Sequence, residues 1–435
     1  MKIALLDIWK PGDKKDFNSG YGTTFTPGDS FLARVLARLR SSNEYLPLLN
    51  YGYTSAVLKR NGHEVQLVMN ELPVGYDLVI LHASLIRHTE EIEMLERIRR
   101  EQGTPICVIG PLGSEWPHLF DLIADLVIIG DAETVLANFN TLDQLPRGRV
   151  HAAAIENLDE LPFPDWSIYD YRKFTQFPLL KKNPVVMIQG SRSCPYKCNY
   201  CPYITPTKNY KTRSPENVIA EIKHMKSTYG AKSILFRDPV FGIKKPWALE
   251  LCKLMVQEKI DMPWACETRT DRLDEEMIDV MYEAGLRAMK VGIESSDEEI
   301  LRNLKRKPPA IEHQDRMIHY AEKKGIAVAA FYIVGLLDDT VETMEQTLKD
   351  AIRLNPSFAN FNLCTPLPGT EFYEQVKDRI YDFNLNHYDN YHSVFTANKA
   401  TPEQITYYQD RSMVRFYFRP GFVLKALNHM FLRRN

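Results

Sequence analysis

No stretch of this chain approaches about 18 consecutive apolar residues, so the sequence offers no membrane-spanning helix. Low-complexity tracts are absent too, and neither sign of charge is in excess: 54 Lys and Arg stand against 56 Asp and Glu, a net charge of −2 over 435 residues. That balance argues against a surface built to grip nucleic acid, and no sequence-specific nucleic-acid partner is expected. The opening Met1-Lys2-Ile3-Ala4-Leu5-Leu6-Asp7 meets an acid after four apolar residues. It reads as a buried strand and not as a secretion signal, which makes a cytoplasmic chain the expectation. Cysteine is sparse. There are seven, of which Cys107, Cys252, Cys266 and Cys364 are scattered singly with no Cys-x-x-Cys pair among them. Cys194, Cys198 and Cys201 crowd into eight residues, which in a reducing compartment points to metal and not to disulfides.

What is present is ordinary globular composition, 44% hydrophobic and 25% charged, in a length suited to two or three domains. Residues 1–150 read as a doubly wound, Rossmann-like α/β domain. Apolar strands at 2–7, 64–68, 77–82, 106–109 and 126–129 alternate with helices. The first helix shows Phe31, Leu32, Val35, Leu36 and Leu39 at helical spacing behind a possible Asp29-Ser30 cap. Ligands of such sheets lie at the carboxyl ends of strands, where Asp7–Gly12, Gly110–Gly113 and Gly130-Asp131 stand. A Pro-rich, aperiodic linker follows over 151–183. Residues 184–375 count out six βα units, with strands at 185–188, 233–237, 264–268, 288–293, 326–334 and 358–363. Six units, where a closed barrel has eight, leave the barrel open on one side.

The cysteines fall in the loop after the first of those strands, in Gly190-Ser191-Arg192-Ser193-Cys194-Pro195-Tyr196-Lys197-Cys198-Asn199-Tyr200-Cys201. Three thiolates in one loop can wrap an iron–sulfur cluster and leave one of four irons open for another ligand. A structural zinc site would want a fourth ligand, and the following loop has no Cys or His. Arg192, Lys197 and Lys208 are expected to offset the thiolate charge.

Cys-x3-Cys-x-Tyr-Cys after the first strand of a six-unit βα barrel resembles the radical S-adenosylmethionine superfamily. The strand ends Phe236-Arg237-Asp238, Glu267-Thr268-Arg269, Val291–Ser295, Tyr332–Leu336 and Thr365–Thr370 extend the likeness. With an α/β domain ahead of the barrel, the chain is similar to the branch carrying an amino-terminal cobalamin-binding domain. The resemblance implies a [4Fe-4S] cluster on Cys194, Cys198 and Cys201. It implies S-adenosylmethionine beside Tyr200, Asp238, Glu294, Ser295, Val334 and Gly335, although Asp238 stands where the family often has a Gly-Gly-Glu run. It also implies cobalamin along an edge formed by Asp7, Trp9, Gly12, Gly110 and Gly113. In Asp7-Ile8-Trp9-Lys10-Pro11-Gly12, Trp replaces the His of the family's Asp-x-His-x-x-Gly frame. An indole nitrogen is a donor only and cannot ligate cobalt.

The activity so implied is reductive cleavage of S-adenosylmethionine followed by cobalamin-dependent methyl transfer to an unactivated centre. The alternative is a radical oxidoreductase, cyclase or carbon–carbon bond-forming enzyme on the same scaffold, with or without cobalamin. Methylthiolation of transfer RNA or a ribosomal protein would need a second three-cysteine cluster ahead of the barrel, where only Cys107 stands. A small-molecule or lipid-like substrate and a flavodoxin- or ferredoxin-type electron donor are the expected partners. Residues 376–435 read as a mostly helical extension. From Arg411 onward it has six Lys or Arg, no acid and interleaved aromatics. Closing the open side of the barrel is the preferred reading for it, and contact with a membrane surface or an anionic substrate is the other.

Overall fold

The computed structural model describes residues 1–41, 44–204 and 209–422. Two six-stranded sheets organise it, and every pairing within them is parallel.

The amino-terminal sheet holds β1 (Lys2–Asp7), β2 (Glu64–Met69), β3 (Leu78–His82), β4 (Ile106–Ile109), β5 (Leu126–Ile129) and β6 (Gly148–His151). Their spatial order is β2-β1-β3-β4-β5-β6. Strand order therefore reverses between β1 and β3, the switch point at which such sheets hold ligands. β3 and β4 are buried along their whole length, which is why they read as continuous apolar runs. β6 is mostly exposed and lacks that signature, so the sequence pattern missed it; it carries the sheet one residue past the expected boundary at 150. The helices of this half are α1 (Phe31–Ser41), α2 (Leu49–Arg60), α3 (His88–Glu101), α4 (Pro111–Glu115) and α5 (Ala132–Leu136).

The second sheet runs β7 (Val185–Ile188), β8 (Ser233–Phe236), β9 (Trp264–Thr268), β10 (Leu286–Glu294), β11 (Ala327–Val334) and β12 (Phe358–Leu363), each beside its sequence neighbour. β7 and β12 remain edges, so the barrel is open. Around it lie α6 (Pro215–Tyr229), α7 (Lys245–Gln257), α8 (Glu275–Glu283), α9 (Glu298–Asn303), α10 (Ile311–Lys324), α11 (Val341–Leu354), α12 (Glu371–Val376) and α13 (Pro402–Tyr417). α6 begins as its sequence dictates. The Ser214 side chain accepts from the Asn217 N–H, Pro215 occupies the first turn, and Gly230 closes the helix in the left-handed region.

α13 covers the edge strand. The Tyr417 hydroxyl donates to the Ala359 carbonyl at 2.6 Å and accepts from the Ala359 N–H at 3.1 Å, occupying the backbone groups an edge leaves bare. The carboxyl-terminal extension thus packs on the open side of the barrel as far as residue 422; residues 423–435 of the basic tail lie outside the described residues. No helix among the described residues is long and apolar enough to cross a membrane.

α1 departs from its sequence pattern. Ala33 is fully buried and Ala37 meets the core, whereas Phe31 and Leu32 are exposed. The helix docks by its small residues, and its bulky apolar stripe faces away.

Candidate functional site

Both sheets point the carboxyl ends of their strands toward one another, and a cysteine-bearing loop stands between. At its base, Ser191-Arg192 pairs antiparallel with Lys211-Thr212. The Gly190 N–H donates to Asp238 Oδ2 at 3.0 Å, and the Ser191 hydroxyl donates to Asp238 Oδ1. Gly190 has to be glycine, because a Cβ there would come within 2.6 Å of the Trp247 ring. Burial pushes the Asp238 carboxyl up to about 6, against the hydrogen bonds from Ser191 and Gly190. Ser193, at φ 66, turns the chain through the left-handed region and sends it across the sheet ends.

Cys194, Cys198 and Cys201 then line a single cavity of about 1240 Å³, counting its open mouth. Among the described residues no three His, Cys, Asp or Glu side chains converge on one ion position. A cluster does not need that, since each thiolate binds a different iron. Burial pushes the Cys194 and Cys201 thiols up, and at Cys194 the cations Arg269 and Arg306 oppose it.

These two arginines are what the sequence reading missed. Arg306, nearly fully buried, hydrogen-bonds Cys198, donates to the Gly292 carbonyl and stands 3.4 Å from Glu294 Oε1. Arg269 lies over the Tyr196 ring at 4.4 Å. The cations expected to do this work do not. Arg192 is committed to Asp131 at 3.2 Å and Glu133 at 2.6 Å on the amino-terminal domain, Lys197 is exposed, and Lys208 lies outside the described residues.

Glu294 ends β10 at φ 71, immediately after the register of β10 against β11 slips between Gly292 and Glu294. A bulge of this kind re-aims a side chain, here into the cavity. A non-glycine residue in that conformation costs about 1 kcal/mol or more, held only because its surroundings over-determine it. The Tyr200 hydroxyl and Arg306 supply that hold, and burial raises the carboxyl against both.

Of the six residues expected at S-adenosylmethionine, Tyr200 and Glu294 line the cavity and four stand off its wall. Both oxygens of Asp238 are taken up by the loop base. The Ser295 hydroxyl accepts from the Asp297 N–H at 3.1 Å at the start of α9. Val334 is buried, and Gly335, at φ 78, is roofed by α13, where a Cβ would come within 2.5 Å of Ile405. Phe331 and Ile333 are the β11 side chains that reach the cavity.

The far wall of the cavity comes from the other domain. Residues 8–28 leave β1 as a strap, closed on itself by the Lys14 N–H to Thr23 carbonyl bond of 2.9 Å and anchored by a bidentate Arg87–Asp13 pair, both contacts 2.7 Å. Its tip brings Asp16, Phe17 and Asn18 to the barrel. Arg237 donates to Asp16 Oδ2 at 2.5 Å and to Glu267 Oε1 at 2.6 Å, and Lys290 reaches the same Glu267 oxygen at 3.3 Å. Burial alone would raise Glu267; Arg237 and Lys290 more than reverse it and hold the carboxylate below its usual range. Lys290 Nζ and the Arg237 guanidinium sit over the Phe17 ring at 4.7 and 5.0 Å. The strand ends that hold Arg237 and Glu267 were legible in the sequence; their pairing with Asp16 and Lys290 was not.

A second cavity, about 990 Å³ with its open side, lies between the domains. Gly110 and Gly130, at the ends of β4 and β5, Asn50, Thr54 and Ser114 line it on one side, and Ser193 and Tyr203 on the other. Tyr203 and Pro239 belong to both cavities and form the partition. Of the five residues expected at cobalamin, only Gly110 is on this wall. Asp7 is buried against Lys15 at 2.9 Å, Trp9 packs edge-on to Tyr45 with centroids 5.5 Å apart, and Gly12 makes a turn at φ 100. Gly113 lies inside α4, where a Cβ would come within 3.0 Å of Val108. The strap leaves β1 in the wrong direction for the Asp7–Gly12 expectation. His82 stands behind the wall between Gly20 and Gly110, its Nε2 accepting from the Asn50 amide at 3.0 Å. Burial, aided by Lys15, lowers it to about 3.

Residues 188–351 match the family model described as the Radical SAM superfamily. An uncharacterized methyltransferase of Pyrococcus horikoshii is 28% identical over 276 residues, 63% of this chain and 59% of the relative. The anaerobic magnesium-protoporphyrin IX monomethyl ester cyclase of Rubrivivax gelatinosus is 28% identical over 288 residues, 61% of this chain and 51% of the relative. The matches thus span little more than half the length of these relatives. Among solved structures, the cobalamin-dependent S-adenosylmethionine radical enzyme OxsB, with aqua-cobalamin and S-adenosylmethionine bound, superposes with a TM-score of 0.67 at 14% identity. That superposition covers 100% of this chain and 71% of OxsB, so the fold is shared across both sheets.

Proposed function

From a chain that carries a radical SAM domain, we propose an enzyme that reductively cleaves S-adenosylmethionine at a [4Fe-4S] cluster and, with cobalamin, methylates an unactivated centre of a small molecule. The observation that carries this reading is the meeting of Cys194, Cys198 and Cys201 with Tyr200, Glu294 and Arg306 on one cavity at the strand ends. The donor set fits the cluster: three thiols on one loop, and two arginines to offset thiolate charge. When bound, the cluster supplies the electron that splits the sulfonium, and cobalamin supplies a transferable methyl group.

The chain's own residues bind and orient. Glu294, aimed by the bulge, is placed to accept hydroxyl or ammonium hydrogens of S-adenosylmethionine. Arg306 holds Glu294 and Cys198 in register with each other. Phe17, Pro202 and Val240 line the cavity as apolar cover that keeps water from a reactive centre. The Arg237–Glu267–Lys290 network orients substrate at the opposite wall. For cobalamin, the interdomain wall has the composition to hold an amide-fringed planar ring. Gly110 and Gly130 present backbone without side chains, and Asn50 and Thr54 add polar side chains beside them. Among the described residues no imidazole lines it, so the reading is cobalamin without a protein ligand to cobalt. Electrons come from an external flavodoxin- or ferredoxin-type donor.

Anaerobic reconstitution with a strong reductant should yield 5′-deoxyadenosine, and Glu294→Ala should weaken S-adenosylmethionine binding at least tenfold. Absence of reductive cleavage under all conditions would end the radical reading. The second reading, a cobalamin-free radical cyclase or oxidoreductase, is favoured by the likeness to the protoporphyrin ester cyclase and would stand if cobalamin fails to bind while cleavage persists.

A further inference from the structure

α1 is attached to the protein by the face that has least to bury. At about 100° per residue, Ala33 and Ala37 share one side of the helix, and Phe31, Leu32, Val35 and Leu36 share the opposite side. Ala33 is fully buried and Ala37 meets the core, while Phe31 is 72% and Leu32 36% exposed and Val35 and Leu36 are only half-buried. Arg34 and Arg38 flank the apolar stripe and are exposed. The helix carries a third arginine, Arg40, and no acid. Its position is not accidental. Ser30, which caps it by accepting from the Ala33 N–H at 3.2 Å, is itself bound through N–H and hydroxyl to Asp410 of α13, both at 2.7 Å. Gly28, just before, is closed over by the same Asp410, where a Cβ would lie 2.5 Å from the carboxylate.

We propose that the outward face of α1 is a docking surface for an anionic lipid membrane, holding the protein at the bilayer surface. An apolar stripe bordered by arginines, on a helix too short and too charged to span, is the composition of a segment that lies in the headgroup boundary. Each arginine near an anionic surface adds attraction that salt screens. Charge disfavours the other occupants. A second copy of α1 would set arginine against arginine, and the chain's own residues 423–435 hold Lys425, Arg433 and Arg434 with no acid.

The test is flotation of the full chain with vesicles of phosphatidylcholine and phosphatidylglycerol against vesicles of phosphatidylcholine alone. Binding to the anionic vesicles, lowered several-fold by 0.5 M salt, is expected. Phe31→Ser with Leu32→Ser should raise the lipid concentration for half-binding at least tenfold without moving the thermal melt, these side chains being exposed. Phe31→Trp supplies an independent readout, added emission that shifts to the blue with anionic vesicles only. Unchanged binding by the double variant would assign the affinity to residues 423–435 and overturn the proposal. So would failure to float with anionic vesicles, absence of the blue shift, or a dimer on gel filtration that the double variant dissolves.

Discussion

The two sheets are built alike and finished differently. Each has six parallel strands flanked by helices, and each directs its carboxyl ends toward the space between them. The barrel leaves that end open and hangs three thiols, two arginines and a glutamate around it. The amino-terminal sheet closes its own switch point. The strap leaving β1 folds back over it, pinned by Lys15 between Asp7 at 2.9 Å and Glu91 at 2.6 Å, with Ser84 held by Glu91. One sheet presents chemistry, and the other supplies a wall. Strand count and order do not decide which is which; the loop after the first strand does.

Removing the barrel's contribution gives the largest expected effect. Replacing Cys194, Cys198 and Cys201 together by Ala should reduce iron from about four per chain to near zero and abolish cleavage, while the amino-terminal half melts unchanged. Iron retention by that variant would break the comparison at its stronger end. The converse experiment unpins the strap. Lys15→Met leaves Asp7 and Glu91 buried without their cation and should cost ~3–5 kcal/mol in denaturant unfolding. Adding Glu91→Gln should recover part of it, because one of the two stranded charges is gone. Equal stability of Lys15→Met and parent would show that the strap is not held as described.

A pH series sharpens the picture of the loop base. Asp238 is raised by burial to about 6 from an ordinary 3.8. Between those values the folded chain keeps a proton that the unfolded chain has released, so stability falls as pH rises from about 4 to about 6, by ~3 kcal/mol. Asp238→Asn, which cannot ionise, should flatten that slope in chemical denaturation curves. The smallest effect is expected at the covered edge. Tyr417→Phe strips the Ala359 N–H and carbonyl of their partner and should cost ~1 kcal/mol, with S-adenosylmethionine cleavage unaffected.

The residues legible in the sequence are those whose neighbours are close in the chain. Three thiols within eight residues, a cap at Ser214, a stop at Gly230 and six strand–helix repeats all announce themselves locally. Arg306 could not, because what recommends it is Cys198, on another loop, and Glu294, turned inward at the end of β10. The Arg237–Asp16 pair joins residues 221 apart. Trp9 and Gly12 stand off the interdomain wall for the same reason: a six-residue frame is local, and where the strap carries it is not. At α1 a sound rule stops short. Helical spacing of Phe31, Leu32, Val35 and Leu36 identifies an apolar face correctly and says nothing about which side of the helix the protein occupies.

The sequence by itself determined the two parallel sheets, the open barrel and the cysteine loop, because period, turn chemistry and ligand spacing act over a few residues. Tertiary structure alone decided which cations face the thiols, that Glu294 is turned inward by a bulge, that the strap forms the far wall, and that α1 docks by alanine. Those outcomes depend on burial and charge shared between segments that only the fold brings together, where a residue's surroundings, and not its type, settle what it does.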